Sequence, residues 1–197
     1  MGRDVALRAV VVGGGIGGVA AAVALTRAGI DVRVHEQAQQ LAEVGAGVSL
    51  APNGLRMLER LGVGEQVRRV GARYASAELR LFDGRVVRHE PYQFTLPGRN
   101  VGIHRADLLG LLAGQLPPGA VRTGHRCTGF GQDERSATVV FADGSTATAD
   151  VVIGADGIHS VLQGFVVAPA EPVFSGVKAY RGLVPRLDAY PADTMRM

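Results

Sequence analysis

The first part of the chain combines two patterns of apolar residues. Residues 7–12, LRAVVV, are mostly apolar and β-branched, which is typical of a parallel strand covered on both faces. Residues 16–28 are rich in alanine and precede Gly29, which predicts a helix with a glycine C-cap. Residues 30–36, IDVRVHE, predict a second strand. Together they predict a βαβ unit of about 30 residues.

Two further helices are predicted from the spacing of leucines. Residues 52–62, PNGLRMLERLG, place three leucines on one helical face and end at a glycine. Residues 104–119, HRADLLGLLAGQLPPG, predict a second helix that its two prolines end. The leucines concerned are Leu55, Leu58 and Leu61 in the first helix and Leu108, Leu109, Leu111 and Leu112 in the second.

Two segments alternate between apolar and polar residues. They are residues 77–90, AELRLFDGRVVRHE, and residues 137–157, ATVVFADGSTATADVVIGADG. Each surrounds an Asp-Gly pair, which is typical of an antiparallel β-hairpin. The chain is therefore predicted to be an α/β protein with a Rossmann-like parallel βαβ core and antiparallel hairpins in a second sheet region.

Composition narrows the class of protein. The chain has 197 residues, of which 47% are hydrophobic and 20% are charged, enough to bury a globular core. Its formal charge is +3, and its basic residues are scattered singly, which argues against nucleic acid as a partner. Cys127 is the single cysteine, which excludes an internal disulfide, argues against a cysteine metal site and fits a cytoplasmic location.

An uncharged run from Ala9 to Thr26 has the length of a membrane span or a signal peptide. Five glycines lie in its centre, and each costs a lipid-embedded helix about 1 kcal/mol relative to alanine. No small-residue cleavage site with a polar flank follows it. A turn between a strand and a helix explains the run better, so we expect no membrane partner.

A cluster of glycines joins the first strand to the first helix. Gly13, Gly15 and Gly18 match the G-x-G-x-x-G pattern of dinucleotide-binding proteins, in its expected place between strand and helix. In that pattern the first glycine permits a tight turn, the second lets the main chain approach a pyrophosphate, and the third lets helix and strand pack closely. Free N–H groups and the positive end of the helix then receive the phosphate charge. A plain flexible turn is the alternative.

An acidic residue ends the second predicted strand. Glu36 follows Gly13 at the distance where a carboxylate accepts a hydrogen bond from a ribose 2′-OH and disfavours the additional phosphate of NADP. Taken alone, Glu36 is equally well explained as a solvated carboxylate at a strand end. The βαβ unit does not distinguish FAD from NAD, so both dinucleotides stay open at this point.

Three further stretches extend the comparison to a family. EVGAGVSLAPNGLRMLERLG (43–62), IHRADLLGLL (103–112) and GADGIHS (154–160) follow the glycine cluster and Glu36 in that order. The combination resembles the single-component FAD-dependent aromatic hydroxylases of the salicylate and 6-hydroxynicotinate hydroxylase type. YRGLVP (180–185) resembles the first strand of the substrate domain in that family. A simple NAD-dependent dehydrogenase is disfavoured, because GADGIHS and GAGVSLAPN have no role in one.

The resemblance implies contacts between the first half of the chain and FAD. Gly15 and Ile16 are expected to contact the FAD pyrophosphate, and Glu36 and Gln37 the adenosine ribose. Arg105 resembles the arginine that reaches the FAD phosphate or ribityl region, a role that suits a guanidinium with several donors. The alternative for Arg105 is a surface charge at the start of a helix.

Two later residues complete the FAD site that the resemblance implies. The backbone of Cys127 is expected to frame the adenine, and Asp156 to serve both FAD and the passing pyridine nucleotide. The alternative for Cys127 is a small buried hydrophobe. The alternative for Asp156 is a cap of the turn at Gly157.

Ser49 and Tyr180 are expected to lie near the reacting groups. Ser49 follows GAGV, close to the flavin, where the similar 6-hydroxynicotinate enzymes carry histidine, which argues against that substrate. Tyr180 is the candidate to face the substrate ring as a hydrogen-bonding or acid/base group, with a core tyrosine as the alternative. His104 and His159 have no other ligands at metal spacing in the sequence and are interpreted as structural, so no metal is expected.

The resemblance also implies a reaction. NADH or NADPH passes hydride to FAD, and the reduced flavin uses O₂ to hydroxylate a small electron-rich aromatic compound. The protein positions the cofactor and keeps water away. The sequence names neither the aromatic substrate nor the nicotinamide cofactor that is used.

The family's members are longer than this chain and carry a second FAD fingerprint built on a Gly-Asp pair. This chain has 28 glycines and no Gly-Asp pair. The resemblance therefore predicts an N-terminal portion, with an FAD-binding domain at 1–72 and 100–168 and a partial substrate-domain sheet at 73–99 and 169–197. Such a portion is expected to bind FAD weakly or not at all and not to hydroxylate by itself. The alternative is a noncatalytic FAD-binding or interaction module that needs a complementary chain, and a homo-oligomer also stays open.

Overall fold

The computed structural model describes residues 7–41, 47–91, 100–167, 171–178 and 194–196. The chain divides into two compact units, the first comprising Met1–Glu43 with Leu112–Ala179 and the second Val44–Leu111 with Tyr180–Met197. Each unit contains its own β-sheets and helices.

The first unit is built on a parallel sheet of four strands. The strands are β1 (Arg8–Val12), β2 (Asp31–His35), β8 (Val121–Arg122) and β12 (Val151–Gly154). Their order is β12-β1-β2-β8, and each neighbouring pair is parallel. Helix α1 (Ile16–Arg27) joins β1 to β2 and contacts both strands. The predicted βαβ unit is confirmed.

Strand β1 is buried on both faces of the parallel sheet. Ala9 and Val11 pack in one cluster with Ala22 of α1. On the other face, a second cluster contains Val10, Val12, Cys127, Val139, Phe141, Ala149 and Leu162. Alternate residues of β1 therefore pack in opposite directions, which explains why the sequence of this strand is continuously apolar.

The second cluster includes residues of an antiparallel sheet. Its strands are β9 (Cys127–Gln132), β10 (Ala137–Phe141) and β11 (Thr146–Ala149), in the order β11-β10-β9. The hairpin predicted in the segment 137–157 is confirmed for β10 and β11. It is wrong for the end of that segment, because β12 pairs in parallel with β1. The reason is burial on two sides, since Val152 and Ile153 pack on opposite faces of the parallel sheet.

The second unit contains two sheets of three strands. The first has β3 (Gly47–Leu50), β4 (Ala72–Tyr74) and β7 (Asn100–His104), with antiparallel pairs in the order β3-β7-β4. The second has β5 (Ser76–Arg80), β6 (Val86–Pro91) and β13 (Thr194–Arg196), in the order β13-β5-β6. The predicted hairpin at 77–90 is confirmed as the antiparallel pair β5 and β6.

The helices that follow the βαβ unit agree with the leucine pattern. They are α2 (Pro52–Arg60), α3 (Gly64–Val70), α4 (Arg105–Ala113) and α5 (Gln163–Val166). The two predicted helices are confirmed as α2 and α4, which bury Leu55, Leu58, Leu108, Leu109 and Leu112. Two predicted leucines are only half-buried, namely Leu61, which follows the end of α2, and Leu111. Helix α3 was not predicted, because its seven residues are too few to show a helical period.

The uncharged run that begins at Ala9 is divided between two elements. Its first residues lie in β1, and its last residues lie in the 12-residue helix α1. Within the described parts of the chain, no helix has the length and apolar character needed to cross a membrane.

Candidate functional site

The glycine cluster lies at the carboxyl end of β1, next to the ends of β2 and β12. Gly13 has a φ of +107°, a conformation that favours glycine. Its N–H donates to the carbonyl of His35 over 2.8 Å, which ties the loop to the end of β2. A Cβ on Gly13 would lie 2.2 Å from the carbonyl oxygen of Ala155, so the backbone that follows β12 leaves no room for a side chain.

Helix α1 begins at this loop. Gly15 is its N-cap and Ile16 its first residue, and no described side chain caps this end or places an acid in its first turn. A Cβ on Gly18 would lie 2.0 Å from the carbonyl oxygen of Gly13, so a glycine at 18 lets the helix approach the loop. The first N–H groups of an α-helix have no partner within the helix and, with the macrodipole, attract anions. The helix entrance therefore offers backbone donors to a negatively charged ligand.

The carboxylate of Glu36 is held against the glycine cluster. Its Oε2 accepts a hydrogen bond from the N–H of Gly14 at 2.5 Å, and its Oε1 accepts one from the N–H of Ala38 at 2.8 Å. The main chain of Glu36 is also fixed, because its N–H donates to the carbonyl of Arg122 and its carbonyl accepts from the N–H of His125, both at 2.8 Å. An ionised carboxylate keeps free lone pairs after two such bonds. Glu36 can therefore accept a further hydrogen bond from a ligand at the helix entrance.

Three rings pack together next to Glu36. The side chain of His35 is 4% exposed and stacks on Phe141, with ring centroids 4.4 Å apart and 20° between the planes. His125 meets both rings edge-on, with centroids 5.1 Å from His35 and 5.4 Å from Phe141. Burial, followed by the charges of His125 and Arg122, lowers the pKa of His35 from 6.5 to about 4. The His35 ring is therefore neutral near neutral pH.

Asp156 and Cys127 both have structural contacts in the first unit. The Asp156 carboxylate accepts hydrogen bonds from the Ser160 hydroxyl at 2.6 Å and from the N–H groups of Val161 and Leu162 at 2.7 and 3.2 Å. The side chain of Cys127 is buried among apolar residues, and burial raises the pKa of its thiol. These contacts correspond to the structural alternatives that the sequence left open. A contact of either residue with FAD stays a prediction.

The remaining predicted site residues are distributed over the chain. Gln37 directly follows Glu36 and is exposed. Ser49 lies on β3 and Arg105 is the first residue of α4, and both belong to the second unit. Tyr180 lies outside the described residues. The predicted contacts of these residues with FAD or substrate stay predictions.

The β3-β7-β4 sheet of the second unit has a groove on one face. Gly102 on β7 lies between Ser49 on β3 and Ala72 on β4. A Cβ on Gly102 would lie 1.8 Å from the hydroxyl oxygen of Tyr74, so the phenol ring lies over this glycine. The groove has a volume of about 470 Å³, and its polar lining residues include Ser49, Tyr74 and His104. Ser49 is exposed and lies in this groove beside Gly102.

Sequence reasoning missed two residues at the first site. Ala155 acts through its backbone, which contacts Gly13 and donates to the carbonyl of Val12 at 2.8 Å, so its side chain carries no signal. The sequence predicts His35 only as part of a strand. The sequence does not show that the His35 ring is buried next to Glu36, because the residue that covers the ring, Phe141, is distant in the chain.

Comparison with known protein families identifies the family to which this α/β chain belongs. The family model described as FAD binding domain matches residues 6–171. The chain belongs to the FAD-binding domain family. FAD is the cofactor of this family, which decides between the two dinucleotides that the βαβ unit left open.

Relatives of this FAD-binding domain include aromatic hydroxylases. The 3-amino-4-hydroxybenzoate 2-monooxygenase PtmB3 of Streptomyces platensis is 42% identical over 182 residues, which cover 90% of this chain and 46% of the relative. The salicylate hydroxylase of Pseudomonas putida is 41% identical over 199 residues, which cover 94% of this chain and 46% of the relative. The chain spans about half the length of the curated relatives it matches. The predicted resemblance to FAD-dependent aromatic hydroxylases is confirmed.

A solved structure supports the same assignment. Klebsiella pneumoniae HpxO, crystallised with FAD and uric acid, superposes with a TM-score of 0.73 and 33% sequence identity. The match covers 81% of this chain and 41% of that chain. The predicted fold class is therefore confirmed by an FAD-containing neighbour.

The groups at the glycine cluster fit FAD. The start of α1 offers backbone N–H donors to a pyrophosphate, and Glu36 offers acceptor oxygens to ribose hydroxyls. The glycines at 13 and 18 let the backbone segments approach more closely than any Cβ allows. This donor and acceptor set matches the two joined phosphates and the sugar of a flavin dinucleotide.

Proposed function

We propose that this FAD-binding domain holds the adenosine and pyrophosphate of FAD at its glycine cluster, as part of an NAD(P)H-dependent monooxygenase that hydroxylates a small aromatic compound. The observation that carries the proposal is the Glu36 carboxylate bonded to the N–H of Gly14, at the entrance of α1. An acceptor for ribose hydroxyls and donors for phosphate oxygens thus lie at one place. The match of the family model over residues 6–171 supports the same ligand.

The residues of the first unit have separate proposed roles. Gly15 and Ile16 bind the pyrophosphate through their N–H groups, because they form the uncapped start of α1. Glu36 accepts a hydrogen bond from the ribose 2′-OH, and the exposed Gln37 contacts the same sugar. Cys127 frames the adenine through its backbone.

The roles of the other predicted residues are proposed from the family resemblance. Asp156 serves FAD and the passing nicotinamide nucleotide in addition to its turn contacts. Ser49 lies near the flavin ring, which its exposed position in the groove of the β3-β7-β4 sheet supports. Arg105 reaches the phosphate or ribityl region, and Tyr180 faces the substrate ring. The guanidinium of Arg105 supplies several donors for that role.

The proposed chemistry divides between cofactor and protein. When bound, FAD supplies the redox chemistry, namely acceptance of hydride from NADH or NADPH and use of O₂ to hydroxylate a ring. The protein residues bind the cofactor, orient it and exclude water. We propose a hydroxylated benzoate as the substrate class, because relatives are named for 3-amino-4-hydroxybenzoate and salicylate. We also propose a cytoplasmic location, which the single cysteine fits.

A noncatalytic FAD-binding module that pairs with a complementary chain is the second candidate. It is favoured by large apolar side chains of the first unit that are more than half exposed, a pattern typical of interaction surfaces. These residues are Leu7, Ile158, Phe165, Val166, Val167, Val173, Phe174 and Val177. NADH oxidation that depends on an aromatic compound, catalysed by the chain supplied with FAD, would contradict this candidate.

The proposed ligand is tested by titrating the purified chain with FAD, FMN and NAD⁺. Binding of the flavins is followed by flavin fluorescence and the visible absorption bands, and binding of NAD⁺ by calorimetry. We expect FAD to bind more tightly than FMN, which lacks the adenosine ribose, and more tightly than NAD⁺. Binding of NAD⁺ or FMN that is equal to or tighter than that of FAD would contradict the proposal.

A further inference from the structure

We propose that His35 is a positioning residue for Glu36: the His35 ring, stacked on Phe141, fixes the carboxylate where it accepts a hydrogen bond from the adenosine ribose. The inference rests on the proposed function, because it takes Glu36 as the group that binds the ribose. The new element is the buried cluster of His35, Phe141 and His125, whose rings are not among the groups proposed to bind the ligand.

The main chain places His35 between the glycine cluster and the acid. Its carbonyl accepts the N–H of Gly13 at 2.8 Å, and the next residue is Glu36. In the register of the parallel sheet, His35 lies between Val12 on β1 and Arg122 on β8. A shift of His35 would therefore move both the first glycine of the loop and the carboxylate.

The side chain of His35 is held by rings from another part of the chain. Phe141 is 2% exposed and stacks on the imidazole at 4.4 Å, which ties the end of β2 to strand β10. His125 closes the edge of the stack at 5.1 Å, and its own Nδ1 lies 2.8 Å from the carbonyl oxygen of Thr123. The N–H of His125 binds the carbonyl of Glu36. The ring stack and the Glu36 main chain are thus fixed to the same segment.

The ring of His35 is oriented by packing rather than by its Nδ1. Among the described residues, this buried nitrogen has no hydrogen-bond partner. A buried polar atom without a partner lowers stability, so phenylalanine would fill this place with an equivalent stack and without that cost. The proposal therefore predicts that an aromatic ring at 35 is sufficient to position Glu36, whereas a small side chain is not.

The proposal is tested with ADP and 2′-deoxy-ADP, which differ in the hydroxyl assigned to Glu36. Because hydrogen bonds to a charged group contribute about 1.5–3 kcal/mol, the chain should bind ADP at least about tenfold more tightly. We expect His35→Ala to bring the ratio of the two dissociation constants close to one, and His35→Phe to preserve it. A merely structural role predicts that His35→Ala lowers stability and leaves the ratio unchanged, which would overturn the proposal.

The matched control is Phe130→Leu. Phe130 packs against the apolar cluster that contains Phe141, and its ring pairs with Phe165 rather than with His35. The substitution should lower thermal stability and keep the ADP preference. If Phe130→Leu and His35→Ala reduce the preference equally, general loosening of the core explains the effect and the proposal fails.

A second measurement does not depend on nucleotide binding. Hydrogen exchange of the Gly14 and Ala38 amides, which donate to Glu36, reports the position of the carboxylate directly. His35→Ala should accelerate both amides by about tenfold relative to the Val34 amide, and His35→Phe should not. Absence of an ADP preference in the unaltered chain would contradict the proposed ribose contact alone. Unchanged exchange in His35→Ala would contradict the role of His35.

Discussion

The N–H of Gly14 donates a hydrogen bond of 2.5 Å to the Glu36 carboxylate. The contact joins residues 22 positions apart in the sequence, one in the glycine cluster and one at the end of the second strand. Hydrogen bonds to an ionised carboxylate are short and stronger than neutral ones. The acid and the helix entrance are therefore one site, and a change at either should alter the other.

Replacing Glu36 with glutamine should weaken binding of the adenosine part of FAD. The amide keeps one acceptor oxygen but loses the charge-assisted bonds to Gly14 and to the ribose, so we expect about a tenfold increase in the dissociation constant for ADP. Calorimetric titration measures it. Glu134→Gln removes the same charge at an exposed position and is the matched control. Equal effects of the two substitutions would show that net charge, not the position of Glu36, governs binding.

Alanine at Gly13 should destabilise the first unit. The φ of +107° is unfavourable for any side chain, and the added Cβ would lie 2.2 Å from the Ala155 carbonyl oxygen, so we expect a loss of about 2 kcal/mol or more in the free energy of unfolding. Urea denaturation measures the change. Gly17→Ala is the control, because a Cβ there has no atom within 4 Å, and it should leave stability unchanged or raise it. Similar losses for both variants would contradict this description of the loop.

The stability of the first unit should depend on pH through His35. Its pKa of about 4 in the folded chain lies below the ordinary value of 6.5, so the unfolded chain takes up the proton first as the pH falls. The free energy of unfolding should therefore decrease between about pH 6.5 and pH 4, by up to about 1.4 kcal/mol per pH unit. Denaturation curves of His35→Phe should lack this part of the slope, whereas those of the exposed His159→Gln should retain it. A slope unchanged in His35→Phe would show that other groups cause it.

Alanine at Gly102 should disturb the groove of the second unit. The added Cβ would lie 1.8 Å from the Tyr74 hydroxyl oxygen and 2.6 Å from its ring carbon Cζ, so the phenol must move. We expect a loss of about 1–3 kcal/mol in stability, typical of overpacking, which thermal denaturation measures. Gly110→Ala on α4 meets no atom within 4 Å and should be neutral or stabilising. Adding Tyr74→Ala to Gly102→Ala should recover part of the loss, and failure to do so would place the strain elsewhere.

Local signals were sufficient for the βαβ unit. The apolar run of β1, the glycines at 13, 15 and 18 and the acid at 36 lie within one short segment, and the spacing required by strand, helix and strand brings them together. The hairpins around the Asp-Gly pairs were also local, since the turn fixes the register of its two strands.

The parts that sequence reasoning missed depend on long-range packing. Alternation along β2 places His35 with the exposed Asp31 and Arg33, yet Phe141 of a distant strand covers its ring. The sequence of β12 continues the alternating pattern of the predicted hairpin, but the strand pairs in parallel with β1. This pairing buries Val152 and Ile153 on opposite sides of the sheet. Side-chain periodicity describes one face of one element, so it does not reveal which element covers the other face.

The most direct test of the FAD site is a titration of the isotope-labelled chain with FAD, followed by backbone amide chemical shifts. This measurement detects weak binding as well as tight binding. We predict saturable shifts of the amides in the loop and first turn of α1, Gly13 to Gly18, and of Glu36 to Ala38. Amides in these two segments that stay unchanged at saturating FAD, or saturable shifts confined to other segments, would contradict the site.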